Sequence, residues 1–443
     1  MNLVFYRNRS RKTPVVFGIM LMTWALSAQA QTFSKQNVKL YDYFNTFFIQ
    51  EIPVKVNGLP LKADSVYGLE KVKLTLHHER ISDLKIQLQA PNGTTVWLTN
   101  RNGGLEGKDY IETCFRQYGK DGLVNTGKPP FTGEYIPDGQ ITYLNNGSDP
   151  NGEWKLLVED LKSGEDGFLD SIEITFSDKP AFMRQKKYCS LENPGQCSCG
   201  IKGCELLPDL VVVPYFTQKQ YQEFAFDDQV YPGQLKISVA IGNIGMGPLE
   251  VSPDTLLTGA CCTIDSSKTK TDKRYQLLQK VYSKSGSSFT SRTQKTGTIY
   301  FENKPGHQHY HVDDWIEMRL IKIIKGKRKL MCKGSKVSYC LFTTGMFYEG
   351  NQSSLINGKV FDSQMLNYGL GNYYACSLDK QGISVGGYDY YGLMYEGQYL
   401  QLPKGFKNGN YILEIEIDPE HKYAESNVRN NTFSMPIKID KQN

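Results

Sequence analysis

The chain has 443 residues, 22% of them charged and 12% aromatic, with ten cysteines. Most of its formal charge of +5 lies at the amino terminus, where Arg7, Arg9, Arg11 and Lys12 stand without an acidic neighbour, so the remainder is near neutral, about +1. Near-neutrality without a basic stripe excludes nucleic acid as an expected partner, and a chain this long exceeds what one core usually serves, so two domains are expected.

Residues 1–30 read as a secretory signal: the basic cluster is followed by the apolar run Val15–Leu26 and then Ser27-Ala28-Gln29-Ala30, with small residues at the two positions a signal peptidase reads. The run is too short for an ordinary membrane span and no second long apolar stretch follows, so the mature chain is expected to carry no transmembrane segment. Its expected location is secreted, periplasmic or cell-surface. In an exported chain, ten cysteines point to disulfides before thiol catalysis.

From about residue 50 to 177 apolar residues alternate, as in Val72, Leu74 and Leu76, then Ile86 and Leu88, then Ile172, Ile174 and Phe176. That is the pattern of half-buried antiparallel strands. Pro91-Asn92-Gly93, Asn102-Gly103-Gly104, Asn146-Gly147 and Pro150-Asn151-Gly152 break the runs with turn chemistry, so residues 35–178 are expected to form a β-sandwich or jelly roll. His77 and His78, adjacent on one such strand, point to opposite faces and cannot jointly chelate.

Ser82-Asp83-Leu84-Lys85-Ile86-Gln87-Leu88-Gln89-Ala90-Pro91-Asn92-Gly93-Thr94, with Asn151-Gly152-Glu153-Trp154-Lys155-Leu156 and Gly167 to Phe176, resembles the P domain of proprotein convertases. The resemblance implies a jelly-roll module. In that family it sits beside a subtilisin-like protease, for which this chain has no room, so an accessory role is expected.

Residues 179–206 hold Cys189, Cys197, Cys199 and Cys204 without clear periodicity, the pattern of a disulfide-stapled linker whose three possible pairings sequence does not separate. From Leu207 to the carboxyl end the alternation resumes, in Leu210-Val211-Val212-Val213, Leu235 to Ile241 and Tyr411 to Ile417, giving a second β-rich domain over 207–443. The Lys/Ser/Thr-rich stretch near 266–296 reads as a mobile insertion. The whole is expected to be all-β.

The chemistry-bearing segment is Gly306-His307-Gln308-His309-Tyr310-His311, which holds half of the chain's six histidines. On a strand, alternate side chains share a face about 6.6–6.8 Å apart, close enough for three imidazoles to meet at one ion. Neutral imidazole suits copper, zinc, iron and nickel alike, so the triplet specifies a metal and not which one.

In this order, His307 to His311, then Lys336-Val337-Ser338-Tyr339-Cys340-Leu341, then Gly387-Tyr388-Asp389-Tyr390-Tyr391-Gly392 resemble the catalytic domain of lysyl oxidases. Leu207-Pro208-Asp209-Leu210-Val211, Gln381-Gly382-Ile383-Ser384 and Glu425-Ser426-Asn427 extend the likeness across the second domain. The resemblance implies a β-sandwich-based fold and copper held by His307, His309 and His311. It also implies a lysyl tyrosylquinone made from Lys336 and Tyr391, with Tyr388 and Tyr390 close enough for a register error to matter. The implied activity is oxidative deamination of a primary amine or protein lysine by molecular oxygen, releasing an aldehyde, ammonia and hydrogen peroxide. Asp313 continues the strand parity of the histidines and is the first choice for the base; Asp314, given a bulge, and Asp389 are the others.

The likeness also has gaps. Gly306, Met346, Gly387 and Gly397 stand where the animal enzymes have cysteines, which leaves Cys340 and Cys376 without their family partners and expected to bond to each other. Two other functions fit parts of the pattern: a non-catalytic exported metal-binding adhesin or binding module, and a zinc hydrolase using three histidines and a bound water. Retention of both Lys336 and Tyr391 favours the oxidase, since neither alternative needs them.

Overall fold

A computed structural model describes residues 29–43, 48–164, 166–182, 189–200, 203–256, 273–303, 309–334, 337–377 and 379–442. The expected signal segment lies almost wholly outside these residues, as do His307, Lys336, Cys261 and Cys262. The architecture is all-β, as expected; its one described α-helix is the six-residue Pro214–Lys219.

Two sheets form the first half. One runs in the order Gln31–Leu40, Gly167–Ser177, Gly68–His78, Tyr110–Arg116, Glu134–Tyr135; the other runs Gln50–Val56, Gly152–Asp160, Leu84–Gln89, Thr95–Asn100. Period-two burial puts Ile52, Val54 and Val56, Ile86 and Leu88, and Val72, Leu74 and Leu76 into one apolar core with Trp154 and Phe176. Two facing sheets whose strands alternate inward and outward make a sandwich of the jelly-roll kind. His77 and His78 diverge: His77 is exposed between Asp109 and Asp170, while buried His78 meets Asp160 at 3.2 Å.

The second half is built on a ten-stranded sheet whose central strand is His309–Ile324. Ser288–Glu302 and Gly409–Ile417 pair in succession along one side of it, and Val337–Tyr339 pairs on the other. A four-stranded sheet in the order Leu210–Val212, Val239–Asn243, Gly387–Tyr391, Gly345–Met346 lies beside a three-stranded one containing Gln234–Ile237. Trp315, Leu320, Leu413, Ile415 and Ile241 share the core between them.

From Arg274 onward the expected mobile insertion is instead a long hairpin, Arg274–Ser285 paired with Ser288–Glu302 and turning at Gly286, whose φ is +60°. Leu277, Gln279 and Val281 are buried on alternate positions, a periodicity hidden by the lysines, serines and threonines around them. Gly286 supplies the left-handed backbone that the tight turn needs.

Disulfides Cys189–Cys197 and Cys199–Cys204 resolve the three pairings left open for the linker, and Cys340 is bonded to Cys376. The halves touch through apolar contacts: Trp97 meets Phe342 edge-on at 4.8 Å, Tyr143 meets Tyr374 at 5.1 Å, and Leu123 joins a buried cluster with Val211, Phe347 and Tyr388. Gln140 Nε2 donates across this junction to the Thr344 carbonyl at 2.9 Å.

Candidate metal centre and redox cavity

His309 and His311 open the central strand, and the pleat turns both imidazoles to one face. Their Nε2 atoms stand 2.9 Å apart. With metal–nitrogen bonds of about 2.0–2.1 Å, two ligands on one ion subtending roughly 90–110° lie about 2.9–3.4 Å apart, so this pair already has the separation of two imidazoles sharing an ion. The neighbouring strand places Glu302 opposite His309 and Tyr300 opposite His311. Glu302 Oε2 lies 3.1 Å from His311 Nδ1, and both side chains are buried. That contact fixes the Nδ1–H tautomer and leaves the Nε2 lone pair for a metal.

His309 also groups with Cys340 and Cys376, their ligand atoms lying within 4.8 Å of one another. The two sulfurs are joined as a disulfide and so offer no thiolate. The bridge is a wall of the site rather than a ligand set.

The histidines border a cavity of about 460 Å³ that also contains Tyr391, Tyr339 and Ser338. Tyr391 ends the strand Gly387–Tyr391 opposite Val239 and is 5% exposed. Its ring stacks on that of Tyr339 with centroids 3.5 Å apart and planes 18° from parallel. The hydroxyl contacts the Asp389 carboxyl and lies 2.9 Å from the Cys340 carbonyl. The phenol donates toward both acceptors, and burial pushes the Asp389 carboxyl well above the usual carboxylate range. Burial, and then Asp389, push the Tyr391 phenol well up.

The neighbouring tyrosines are held by other partners, although Tyr390 also lines the cavity. Tyr390 Oη donates to Gln220 Oε1 at 2.6 Å and its ring packs on Phe216; Tyr388 packs between Phe216 and Phe347. Neither of them makes the paired contact with Asp389 and Cys340 that Tyr391 makes. The hydroxyl of Tyr339 is buried and has no hydrogen-bond partner among the described residues. The stretch containing Lys336 immediately precedes Val337–Tyr339, which pairs with the histidine strand at Val312 and Ile316.

A bulge does interrupt that strand between Val312 and Ile316, and Asp314 takes φ +55°. Asp313 turns into Arg274 Nε at 3.1 Å and Thr298 Oγ1 at 2.7 Å, and approaches the cavity through Ser338 Oγ at 3.4 Å. Asp389 is therefore the carboxyl in contact with Tyr391.

Sequence reasoning missed Glu302, whose role depends on hairpin register, and Tyr339, which resembles any buried aromatic. It also missed the contribution of the first domain: Lys85, Trp97, Arg101 and Lys162 line the same cavity. Among the described residues no helix is long and apolar enough to cross a membrane.

Residues 254–443 match the family model described as lysyl oxidase, and 70–176 match the proprotein convertase P-domain. The chain is 29% identical over 133 residues to protein-lysine 6-oxidase of Homo sapiens, covering 30% of this chain and 26% of that protein. It is 28% identical over 159 residues to lysyl oxidase homolog 1 of Homo sapiens, covering 34% and 24%, and 26% identical over 162 residues to lysyl oxidase homolog 3B of Danio rerio, covering 34% and 17%. The chain thus spans about a quarter of the length of the human relatives it matches. Strands Gln31–Leu40 and Gln50–Val56 precede the P-domain match yet pair within its sheets. Two family models therefore match this chain in series, the proprotein convertase P-domain over 70–176 and lysyl oxidase over 254–443.

Proposed function

We propose that the protein is an exported, copper-dependent amine oxidase that converts a primary amine, oxygen and water into an aldehyde, ammonia and hydrogen peroxide. The observation that carries this reading is the convergence of His309 and His311 in the cavity that holds Tyr391. In this reading His307, His309 and His311 hold copper, and Lys336 and Tyr391 furnish a lysyl tyrosylquinone. Together they would supply redox chemistry toward oxygen and an electrophilic carbonyl for the amine.

The protein's own side chains have separable tasks. Glu302 orients His311 through Nδ1. Cys340 and Asp389 hold the Tyr391 hydroxyl from two directions, and Tyr339 covers one face of the ring and excludes water from it. Asp389 holds the proton at Tyr391 Oη. Asp313, the first choice from strand parity, acts one residue removed from the cavity by way of Ser338. Three disulfides among the described residues support export into an oxidising compartment.

The deciding experiment is peptide mapping of copper-loaded protein together with peroxide release from benzylamine. A covalent Lys336–Tyr391 peptide and peroxide in proportion to aldehyde are expected. Separate, unmodified Lys336 and Tyr391 peptides with no peroxide would defeat the oxidase and leave the metal-binding module.

A further inference from the structure

Four basic side chains, Lys85, Arg101, Lys162 and Lys236, line the cavity against one acidic one, Glu396, among the described residues. Lys236 is the unusual member. It is 4% exposed, on the strand Gln234–Ile237, and its Nζ sits 4.0 Å from the centre of the Tyr231 ring. Among the described residues no carboxylate lies within ion-pair distance of it. A buried ammonium in this state costs free energy unless something anionic completes its surroundings. Lys85 differs, since Glu159 stands 3.5 Å from its Nζ.

The two cations nearest in effect come from the other domain. Burial, then the charges of Arg101 and Lys162, bring the Lys236 pKa down to about 8, with the Glu396 carboxylate opposing them. The first domain therefore presses positive charge toward an ammonium that is already poorly solvated. A ligand carboxylate entering the cavity beside Lys236 would compensate its buried charge, with Arg101 and Lys162 on the same lining.

We propose that Lys236, with Arg101 and Lys162 of the P-domain, forms an anion subsite for a carboxylate on the same molecule as the reacting amine, making ω-amino carboxylates the preferred substrates. The substrate class rests on the amine oxidase reading; the anion subsite itself does not. Lys236 and Tyr391 border the one cavity from different sheets, on Gln234–Ile237 and Gly387–Tyr391. A chain with several methylenes between amine and carboxylate, such as 6-aminohexanoate, is the probe that can present both groups within it.

The binding arm uses copper-free protein and isothermal titration with hexanoate, against hexanamide as the neutral control. Hexanoate is expected to bind and hexanamide not, with Lys236→Met and the double variant Arg101→Asn/Lys162→Ala each weakening hexanoate at least about tenfold. The double variant alters only the first domain's rim, so it decides the matter even if Lys236→Met fails to fold. The turnover arm compares kcat/KM for 6-aminohexanoate and 6-aminohexanamide in copper-loaded protein. A preference of about tenfold or more for the carboxylate, collapsing toward one in the double variant, is expected. Absence of hexanoate binding overturns the subsite. Hexanoate binding combined with equal kcat/KM for the two amines also overturns the proposal, because the anion is then an effector. If neither amine is oxidised the oxidase reading and the substrate class fall together, while the titration alone still decides the subsite.

Discussion

At the scale of single residues, Glu302 and Lys236 show two opposite ways a buried charge is handled. Glu302 is satisfied by His311 Nδ1 and in return fixes the orientation of the imidazole. Replacing it, as Glu302→Gln, is expected to lower copper affinity about 10–100-fold, the usual cost of removing such a partner, measured by chelator competition. An unchanged affinity would remove Glu302 from the metal centre. Lys236 has no such partner among the described residues, and its folded pKa of about 8 lies below the ~10.4 of an unfolded lysine. Between those values the unfolded chain binds the proton and the folded chain does not, so stability rises with pH there and the burial penalty is fully present below about 8. Lys236→Met is therefore expected to raise Tm at pH 7 and to lose much of that advantage by about pH 10. A gain of the same size at both pH values, read by calorimetry, would trace the effect to packing instead of charge.

The elements explain why some of these residues were legible and others were not. Alternation exposed both sandwiches, because half-buried strands repeat every two residues whatever their partners. The same period put His309 and His311 on one face, which needed no knowledge of the neighbouring strand. Glu302 did need it: it reaches the histidines because Ser288–Glu302 pairs with Glu302 opposite His309, a register invisible in a run of Lys, Ser and Thr. Asp313 keeps the face of the histidines: its carboxylate meets Arg274 and Thr298 on the strands that carry Tyr300 opposite His311, and the irregularity at Asp314 lies just beyond it. The Cys340–Cys376 bridge fastens the segment whose carbonyl holds Tyr391 to a loop 36 residues away. The Cys340→Ala/Cys376→Ala variant is expected to lose about 2–4 kcal/mol of stability in urea unfolding. It is also expected to oxidise amines more slowly, since the Cys340 carbonyl then has more freedom. Unchanged stability together with unchanged turnover would reduce the bridge to a bystander.

For the whole molecule, the decisive feature is that the cavity belongs to neither domain alone. The two family likenesses were readable separately, each from its own local motifs, but no motif states that Trp97 and Arg101 of the first domain would face His309 and Tyr391 of the second. That juxtaposition comes from surface complementarity, which a linear sequence does not display. Its apolar part is substantial: Leu123 is 6% exposed and, with Ile136 beside it, joins a cluster whose other members come from the second half, including Val211, Phe347 and Tyr388. A rigid junction of that kind should make the halves unfold together, because separating them exposes the cluster to water. Calorimetry of the intact chain is accordingly expected to show one cooperative transition. Leu123→Asp would bury a carboxylate without a partner in the cluster, at a cost of several kcal/mol, and is expected to divide that transition into two. It should also loosen the rim formed by Arg101 and Lys162, so that hexanoate binding weakens even though no residue of the subsite has changed. Two resolved transitions already present in the unmodified protein would mean that the domains stand independently, and the shared cavity would then owe nothing to a rigid interface.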